Sequence, residues 1–249
     1  MTRCTLNVLL LALAASLFGP MATLASDDSG TSLFDRMFGN NKGQDAFVKD
    51  QKAALADKDP WHAWQILSAN APADMSRELK LQYADLASTL ILKAARQNNV
   101  DALVMVFSRD DGNGFISSRA ELYEPLLKLA EQADGGREDI KLLSVAGDVF
   151  QKGQWIIQDS QRAAGFYARA WLAGDNDAPG RLYRLYQSLR DPASAYLWSL
   201  RCIGNCTVIS EKHSALESLS PRQIQWIQKL AHDKSVITVN GLAVRKEVQ

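Results

Sequence analysis

The stretch that decides the fold runs from Asp139 to Cys206 and reads DIKLLSVAGDVFQKGQWIIQDSQRAAGFYARAWLAGDNDAPGRLYRLYQSLRDPASAYLWSLRCIGNC. The same sequence pattern occurs twice in this stretch, and each copy predicts a helix, a loop, a second helix and a turn. Apolar residues recur in it at three- and four-residue spacing, which is typical of helices with one buried face. The segment therefore predicts two successive pairs of helices.

The first copy has clear start and stop signals. Its helix A is predicted over Ile140–Gln151, and Lys152-Gly153 ends it. Asp159 caps helix B, predicted over Ser160–Ala173, and Gly174 stops that helix. The residues expected to face inward are Leu142, Val145, Ala146, Val149, Phe150, Ala163, Phe166, Tyr167 and Ala170.

The second copy begins at Asp177 and is shorter than the first. Its helix B opens at Asp191-Pro192, where Asp caps free amides and Pro suits the first turn. Helix A recurs after about 36 residues but helix B after about 32, because the second loop is shorter. The equivalent inward positions are Ala163, Phe166 and Ala170 in the first copy and Ala195, Trp198 and Cys202 in the second.

The motif residues resemble the Sel-one-like repeat, a relative of the tetratricopeptide repeat. They are Phe150, Gly153, Gln158, Asp159, Arg162, Ala163, Phe166, Tyr167, Ala170 and Gly174. The resemblance covers roughly residues 142–174 and extends in degenerate form to residue 206, where the second loop lacks the glycine pattern. It implies an α/α solenoid whose A helices line a concave surface, usually for protein partners.

Helical spacing also precedes and follows the repeats. Long strand-like alternation is absent upstream, so the body is predicted to be all-α. A helix over Arg222–Asp233, started by Ser220-Pro221, would cap the stack. In the tail, Asn-Gly between β-branched runs (VITVNGLAV, Val236–Val244) indicates a short β-hairpin, docked on the body or offered to a partner. The upstream helices are predicted over Asp45–Ala56, Pro60–Asn70, Met75–Asn98, Val100–Phe107 and Ser118–Ala133.

The N-terminus has the layout of a cleaved secretory signal peptide. Arg3 precedes an apolar run over Leu6–Phe18, and small residues end at Ala25 before polar Ser26. We therefore expect export to the periplasm or secretion, and no transmembrane segment after cleavage. The domain plan is residues 1–25 signal, 26–44 flexible leader, 45–134 degenerate helical repeats, 135–206 two repeats, 207–234 capping helix and 235–249 tail or hairpin.

The overall charge gives no drive toward nucleic acid. The chain has 28 basic and 28 acidic side chains, and loss of Arg3 removes one of the basic ones. The pair Cys202 and Cys206 survives cleavage and, in an oxidising compartment, predicts a disulfide. Free packing thiols, or a redox or metal site with His213, are the alternatives.

Two other candidate sites are weak by their chemistry. The loop Asp110–Gly114 looks like a calcium loop, but Arg109 occupies its first ligand position and Ala120 its last. Calcium needs six to eight oxygens, including a bidentate carboxylate, so an inter-helix turn is the preferred interpretation and calcium binding the alternative. The histidines lack metal-ligand spacing, and no nucleophile or phosphate-loop motif occurs. We therefore predict no cofactor, no metal and no enzymatic activity.

The polar sides of the two A helices provide the predicted recognition surface. A solvated polar face is the alternative interpretation of these residues. The expected function is a non-enzymatic scaffold for another protein, as an inhibitor or immunity factor or as an adaptor of an envelope or secretion assembly. The alternative is a cell-wall-active or other periplasmic hydrolase. The predicted partner-binding residues are Asp148, Gln151, Arg181, Arg184 and Gln187.

Overall fold

The protein is all-helical over the part of the chain that the structure, a computed structural model, describes: residues 42–108, 115–204, 206 and 216–239. These residues contain no strand. The predicted all-α class is thus confirmed. The helices are α1 (Lys42–Ala56), α2 (Pro60–Ala69), α3 (Arg77–Arg96), α4 (Val100–Ser108), α5 (Ile116–Gln132), α6 (Ile140–Lys152), α7 (Ser160–Ala173), α8 (Ala178–Ser188), α9 (Pro192–Arg201) and α10 (Pro221–Leu230), with a 3₁₀ turn at Arg137–Asp139 before α6.

Helices α2, α6 and α7 begin or end at the cap residues expected from the sequence. Asp59 Oδ1 accepts hydrogen bonds from the backbone amides of Trp61 and His62 at the start of α2. Asp159 Oδ1 accepts two such bonds at the start of α7. Gly153 follows α6 with φ of 62° and Gly174 follows α7 with φ of 108°, a region that L-residues with a Cβ rarely adopt. The local signals therefore fix the lengths of these helices.

Neighbouring helices in the chain are also neighbours in space. The most extensive contacts join α6 to α7 and α8 to α9, and α7 connects the two pairs by packing on α8. One core cluster extends from α3 to α10, whereas a smaller one gathers Phe47, Leu67 and Leu79 from α1, α2 and α3. Burial of these faces supplies the main favourable free energy of folding.

A glycine and several aromatic rings form the contact between α6 and α7. A Cβ atom at Gly147 would lie 2.5 Å from Cε1 of Tyr167, so the ring packs directly on the backbone of α6. Phe150 and Phe166 stack with ring centroids 5.7 Å apart. Glycine on α6 thus lets α7 approach closely enough to fill the space with aromatic rings.

The C-terminal segment packs on α9 but is not a hairpin in the residues described. Helix α10 packs against α9, and Val236–Val239 follow in irregular conformation. The indole nitrogen of Trp198 donates to the carbonyl of Ile237 at 2.9 Å, and Ser194 Oγ accepts from the amide of Val239 at 2.9 Å. The hairpin prediction is therefore not supported, because side chains of α9 already bind the backbone groups that a strand partner would need.

Several predictions fall outside the described residues. They concern the signal peptide, most of the leader, the Asp110–Gly114 loop, His213 and the tail from Asn240 onward. Within the described ranges, none of the helices combines the length and apolarity needed to cross a membrane.

Candidate functional site

The candidate site is a cavity of about 440 Å³ between α6 and α8, which we call the polar groove. Helix α6 contributes two of the predicted residues and α8 two more, because each pair lies three residues apart and so shares a helix face. Tyr167 from α7 and Asp177 from the α7–α8 loop complete the lining. The groove is lined by Asp148, Gln151, Tyr167, Asp177, Arg181 and Arg184.

A buried tyrosine organises the floor of the groove. The ring of Tyr167 is 0% exposed, and its hydroxyl lies 2.6 Å from Oδ1 of Asp148 and 2.7 Å from Oε1 of Gln151. A phenol has one proton, so it cannot donate to both oxygens. The carboxylate is the stronger acceptor, and the second contact is satisfied when the amide group of Gln151 turns its nitrogen toward the hydroxyl.

An ion pair closes this network across the groove. Nη1 of Arg181 lies 3.2 Å from Oδ1 and 3.3 Å from Oδ2 of Asp148. Both side chains keep about a third of their surface exposed, at 32% and 33%. Solvent screening limits such a pair to about 0–1 kcal/mol, so it orients the two side chains more than it stabilises the fold.

The tyrosine is a proton donor and not a base. Desolvation is the main cause that raises its pKa well above the usual range, and the charge of Asp148 adds to it. Arg181 and Arg184 act in the opposite direction but do not cancel these effects. Tyr167 therefore stays protonated at neutral pH and holds Asp148 in one position.

Arg184 is the cation of the groove whose Nη groups remain available as hydrogen-bond donors. Its side chain is exposed, and its Nε donates to the carbonyl of Gly180 at 3.2 Å. No hydrogen bond or ion pair of its Nη groups is found within the described part of the chain. A guanidinium with two free nitrogens can bind a carboxylate in bidentate fashion. Arg184 is therefore better placed to bind a partner than Arg181.

Gln187 is the predicted residue that does not line the groove. It lies next along α8, where its Nε2 donates to the hydroxyl of Tyr183 at 2.9 Å. The structure thus brings four of the five predicted residues together and leaves the fifth beside them.

A second cavity of about 380 Å³ continues the groove along α6. It shares Asp148, Asp177 and Arg181 with the first cavity and adds Lys141 and Asp175. Both cavities therefore present carboxylates and cations side by side, an arrangement suited to a partner that carries both signs of charge.

The predicted disulfide is present. Cys202 and Cys206 are bonded, with Cα atoms 5.3 Å apart, and both are buried. The bond closes the loop directly after α9, at the end of the second copy, where the sequence predicted a disulfide.

Among the described residues, no group of three or more His, Cys, Asp or Glu side chains could hold a metal ion.

Two groove residues were not identified from the sequence. Tyr167 was assigned to the core by its periodicity, and Asp177 only to the start of the second copy. The signal for Tyr167 is its hydroxyl, since a buried phenol needs a hydrogen-bond partner and Phe would serve for packing alone.

No matching family model, curated protein or solved structure was found for this chain.

Proposed function

We propose that this protein is a non-enzymatic, exported scaffold that holds another protein in the polar groove. In this proposal the helix pairs form an α/α solenoid of the Sel-one-like type. The observation that carries it is the convergence of Asp148 and Gln151 from α6 with Arg181 and Arg184 from α8 on one cavity. These residues come from equivalent helices of the two copies, so the repeat itself builds the surface.

Export is supported by two features of the chain. The N-terminus has the charge, apolar run and small residues of a signal peptide. The bonded pair Cys202 and Cys206 suits an oxidising compartment, such as the periplasm of a Gram-negative bacterium.

The groove favours a partner segment with a carboxylate. Arg184 supplies free guanidinium donors at one end of the groove, and the exposed Asp177, at the start of α8, supplies a carboxylate at the other. The pair of Arg181 and Asp148 lies between them and is already satisfied. We infer that an acidic side chain of the partner binds Arg184 and that a basic one lies near Asp177.

The test uses one charge reversal and one matched control. Arg184→Glu reverses the free cation of the groove, whereas Arg222→Glu reverses an exposed arginine on α10. Each variant is used to isolate partners from envelope extracts, and the partner found with the wild type is then purified and titrated against all three proteins by calorimetry. We expect Arg184→Glu to weaken the complex at least tenfold and Arg222→Glu to leave it unchanged.

The opposite result would remove the basis of the proposal. If folded Arg184→Glu binds every partner as tightly as the wild type does, the groove is an ordinary solvated face. A double change of Arg181 and Arg184 is less informative, because loss of Arg181 also disturbs the contact with Asp148.

The same purified complex separates the two biological roles. An inhibitor or immunity factor forms a tight one-to-one complex with a soluble enzyme and blocks its activity. An adaptor instead co-purifies with membrane machinery. The alternative function, a cell-wall hydrolase, would be established by reproducible hydrolysis with the purified protein that disappears after a single acidic residue is replaced.

A further inference from the structure

A third, larger cavity lies where the ends of three helices meet. It measures about 710 Å³, and we call it the terminal pocket. Its size falls in the range of about 300–1,000 Å³ typical of small-molecule sites. The residues used below are Trp171 at the end of α7, Leu200 and Ile203 at the end of α9, and Ala231, His232 and Lys234 after α10.

The rim of the terminal pocket displays an apolar side chain on a loop that a disulfide closes. Ile203 is 78% exposed, although burial of an apolar side chain of this size is normally stabilising. It lies inside the loop that the Cys202–Cys206 disulfide closes. An apolar group that is fixed in place before binding loses little conformational entropy when a ligand covers it.

The floor of the pocket is the aromatic ring of Trp171, which already contacts Trp198 and Arg201. Trp171 packs edge-on against Trp198, with ring centroids 5.0 Å apart. The guanidinium of Arg201 lies 4.6 Å from the centroid of Trp171 and 4.7 Å from that of Trp198. Arg201 also donates to the carbonyls of Ala231 at 3.2 Å, Val236 at 2.7 Å and Asp233 at 2.6 Å. Arg201 thus neutralises the carbonyl end of α10. To a ligand of the pocket it presents its positive charge rather than free N–H donors.

The pocket also contains a cation, the ammonium of Lys234. Its Nζ lies 5.9 Å from the ring centroid of Trp171, and no salt bridge to it is found among the residues that the structure describes. The carboxylate in the lining, Asp175, already accepts from Ser144 Oγ at 2.7 Å and from the amide of Asp177 at 2.8 Å. Lys234 therefore lacks an anion, while the acid nearby is occupied.

We propose that the terminal pocket binds a single-chain amphiphile with a carboxylate head, such as a fatty acid. The alkyl chain lies against Trp171, Leu200 and Ile203, and the carboxylate pairs with Lys234. This ligand matches both halves of the lining, an apolar wall and an unpaired cation. The site uses none of the groove cations, so the proposal does not rest on the protein-binding function.

The test is calorimetric titration of the full-length protein with four defined probes below their micelle concentrations. The probes are dodecanoate, uncharged dodecyl maltoside, dodecyltrimethylammonium and butanoate. We expect saturable one-to-one binding of dodecanoate, weaker binding of the uncharged probe, and none of the cation or of the short acid. Equal binding of the cationic probe, or no saturable binding of dodecanoate, would overturn the proposal.

Substitutions at exposed positions locate the site without threatening the fold. Lys234→Glu is expected to weaken dodecanoate about tenfold while leaving dodecyl maltoside unchanged, because it acts on the head group alone. Ile203→Ser should weaken both probes about three- to tenfold through lost apolar contact. Arg222→Glu, on the solvent face of α10, is the control and should change neither. Unchanged dodecanoate binding by both pocket variants would place the amphiphile elsewhere and refute the assignment.

Discussion

The hydroxyl of Tyr167 lies 2.6 Å from Oδ1 of Asp148, and this contact joins the hydrophobic core to the polar groove. The ring of Tyr167 packs on Gly147 of α6, while its hydroxyl reaches the carboxylate one residue further along that helix. The same residue thus fixes the spacing of α6 and α7 and the position of a groove carboxylate. Stability and the shape of the groove are therefore coupled.

The close approach at Gly147 makes it sensitive to a single methyl group. Alanine is the better helix former by about 1 kcal/mol, but its Cβ would lie 2.5 Å from the ring of Tyr167. Overpacking of this kind costs about 1–3 kcal/mol. We expect Gly147→Ala to lower the free energy of unfolding in urea by up to about 2 kcal/mol, the overpacking cost less the gain in helix propensity. Thr89→Ala, at an exposed position of α3, serves as the control and should raise that free energy by no more than about 0.7 kcal/mol through helix propensity. A stabilised Gly147→Ala would show that the ring does not pack there.

Alkaline pH should destabilise the protein through Tyr186. Desolvation raises the pKa of Tyr186 to about 12, and the charge of Asp191 acts in the same direction. An unfolded tyrosine titrates near 10. This contribution to stability is complete below about pH 10 and is lost as pH rises toward 12, because the unfolded chain gives up a proton that the folded protein keeps. Urea unfolding at pH 8, 10 and 11 should show Tyr186→Phe with a shallower fall than the wild type, by up to about 1.4 kcal/mol per pH unit. Identical slopes for the two proteins would contradict this.

Arg201 holds the C-terminal segment to the body. It donates to the carbonyls of Leu230, Ala231, Asp233 and Val236. Replacement by Met leaves these carbonyls without their donor, and we expect a loss of about 2–4 kcal/mol in the free energy of unfolding. Hydrogen exchange should rise first in residues 231–239. The exposed Arg222→Met should leave both quantities as in the wild type, and equal exchange in the two variants would show that Arg201 is not the anchor.

The disulfide should contribute a modest and separable stability. In the chain-entropy description, closing the loop between Cys202 and Cys206 stabilises by about 2 kcal/mol. We expect the Cys202→Ser/Cys206→Ser variant to lose that amount in urea unfolding. Added reductant should lower the stability of the wild type but not of the double variant. A response of the double variant to reductant would point to another cause.

Local signals predicted the helices well. Asp59 and Asp159 cap as their types require, and Gly153 and Gly174 end α6 and α7 where no other residue fits as easily. Helical periodicity also placed Asp148 and Arg184 on the faces that line the groove. These features depend on residues close together in the chain, which is why they can be inferred from sequence.

Features that depend on distant residues were missed. Helical periodicity predicted that the ring of Tyr167 is buried. It did not predict which residues its hydroxyl contacts. The terminal pocket exists only because α7, α9 and α10 meet. No local sequence pattern predicts that these three helices come together. The hairpin expected over Val236–Val244 is not supported in its described part, because Trp198 and Ser194, some 40 residues earlier, bind the backbone of Ile237 and Val239.

The central claim, that the polar groove holds a partner protein, is tested most directly by crosslinking from within it. A photoreactive residue replaces Asp177, which is exposed and lines both cavities of the groove, and a second protein carries it at Arg222 on α10 as the control. The groove position should crosslink one envelope protein that the control position does not, and Arg184→Glu in the same chain should abolish that product. A product that forms equally from position 222, or that survives Arg184→Glu unchanged, would contradict the proposed function.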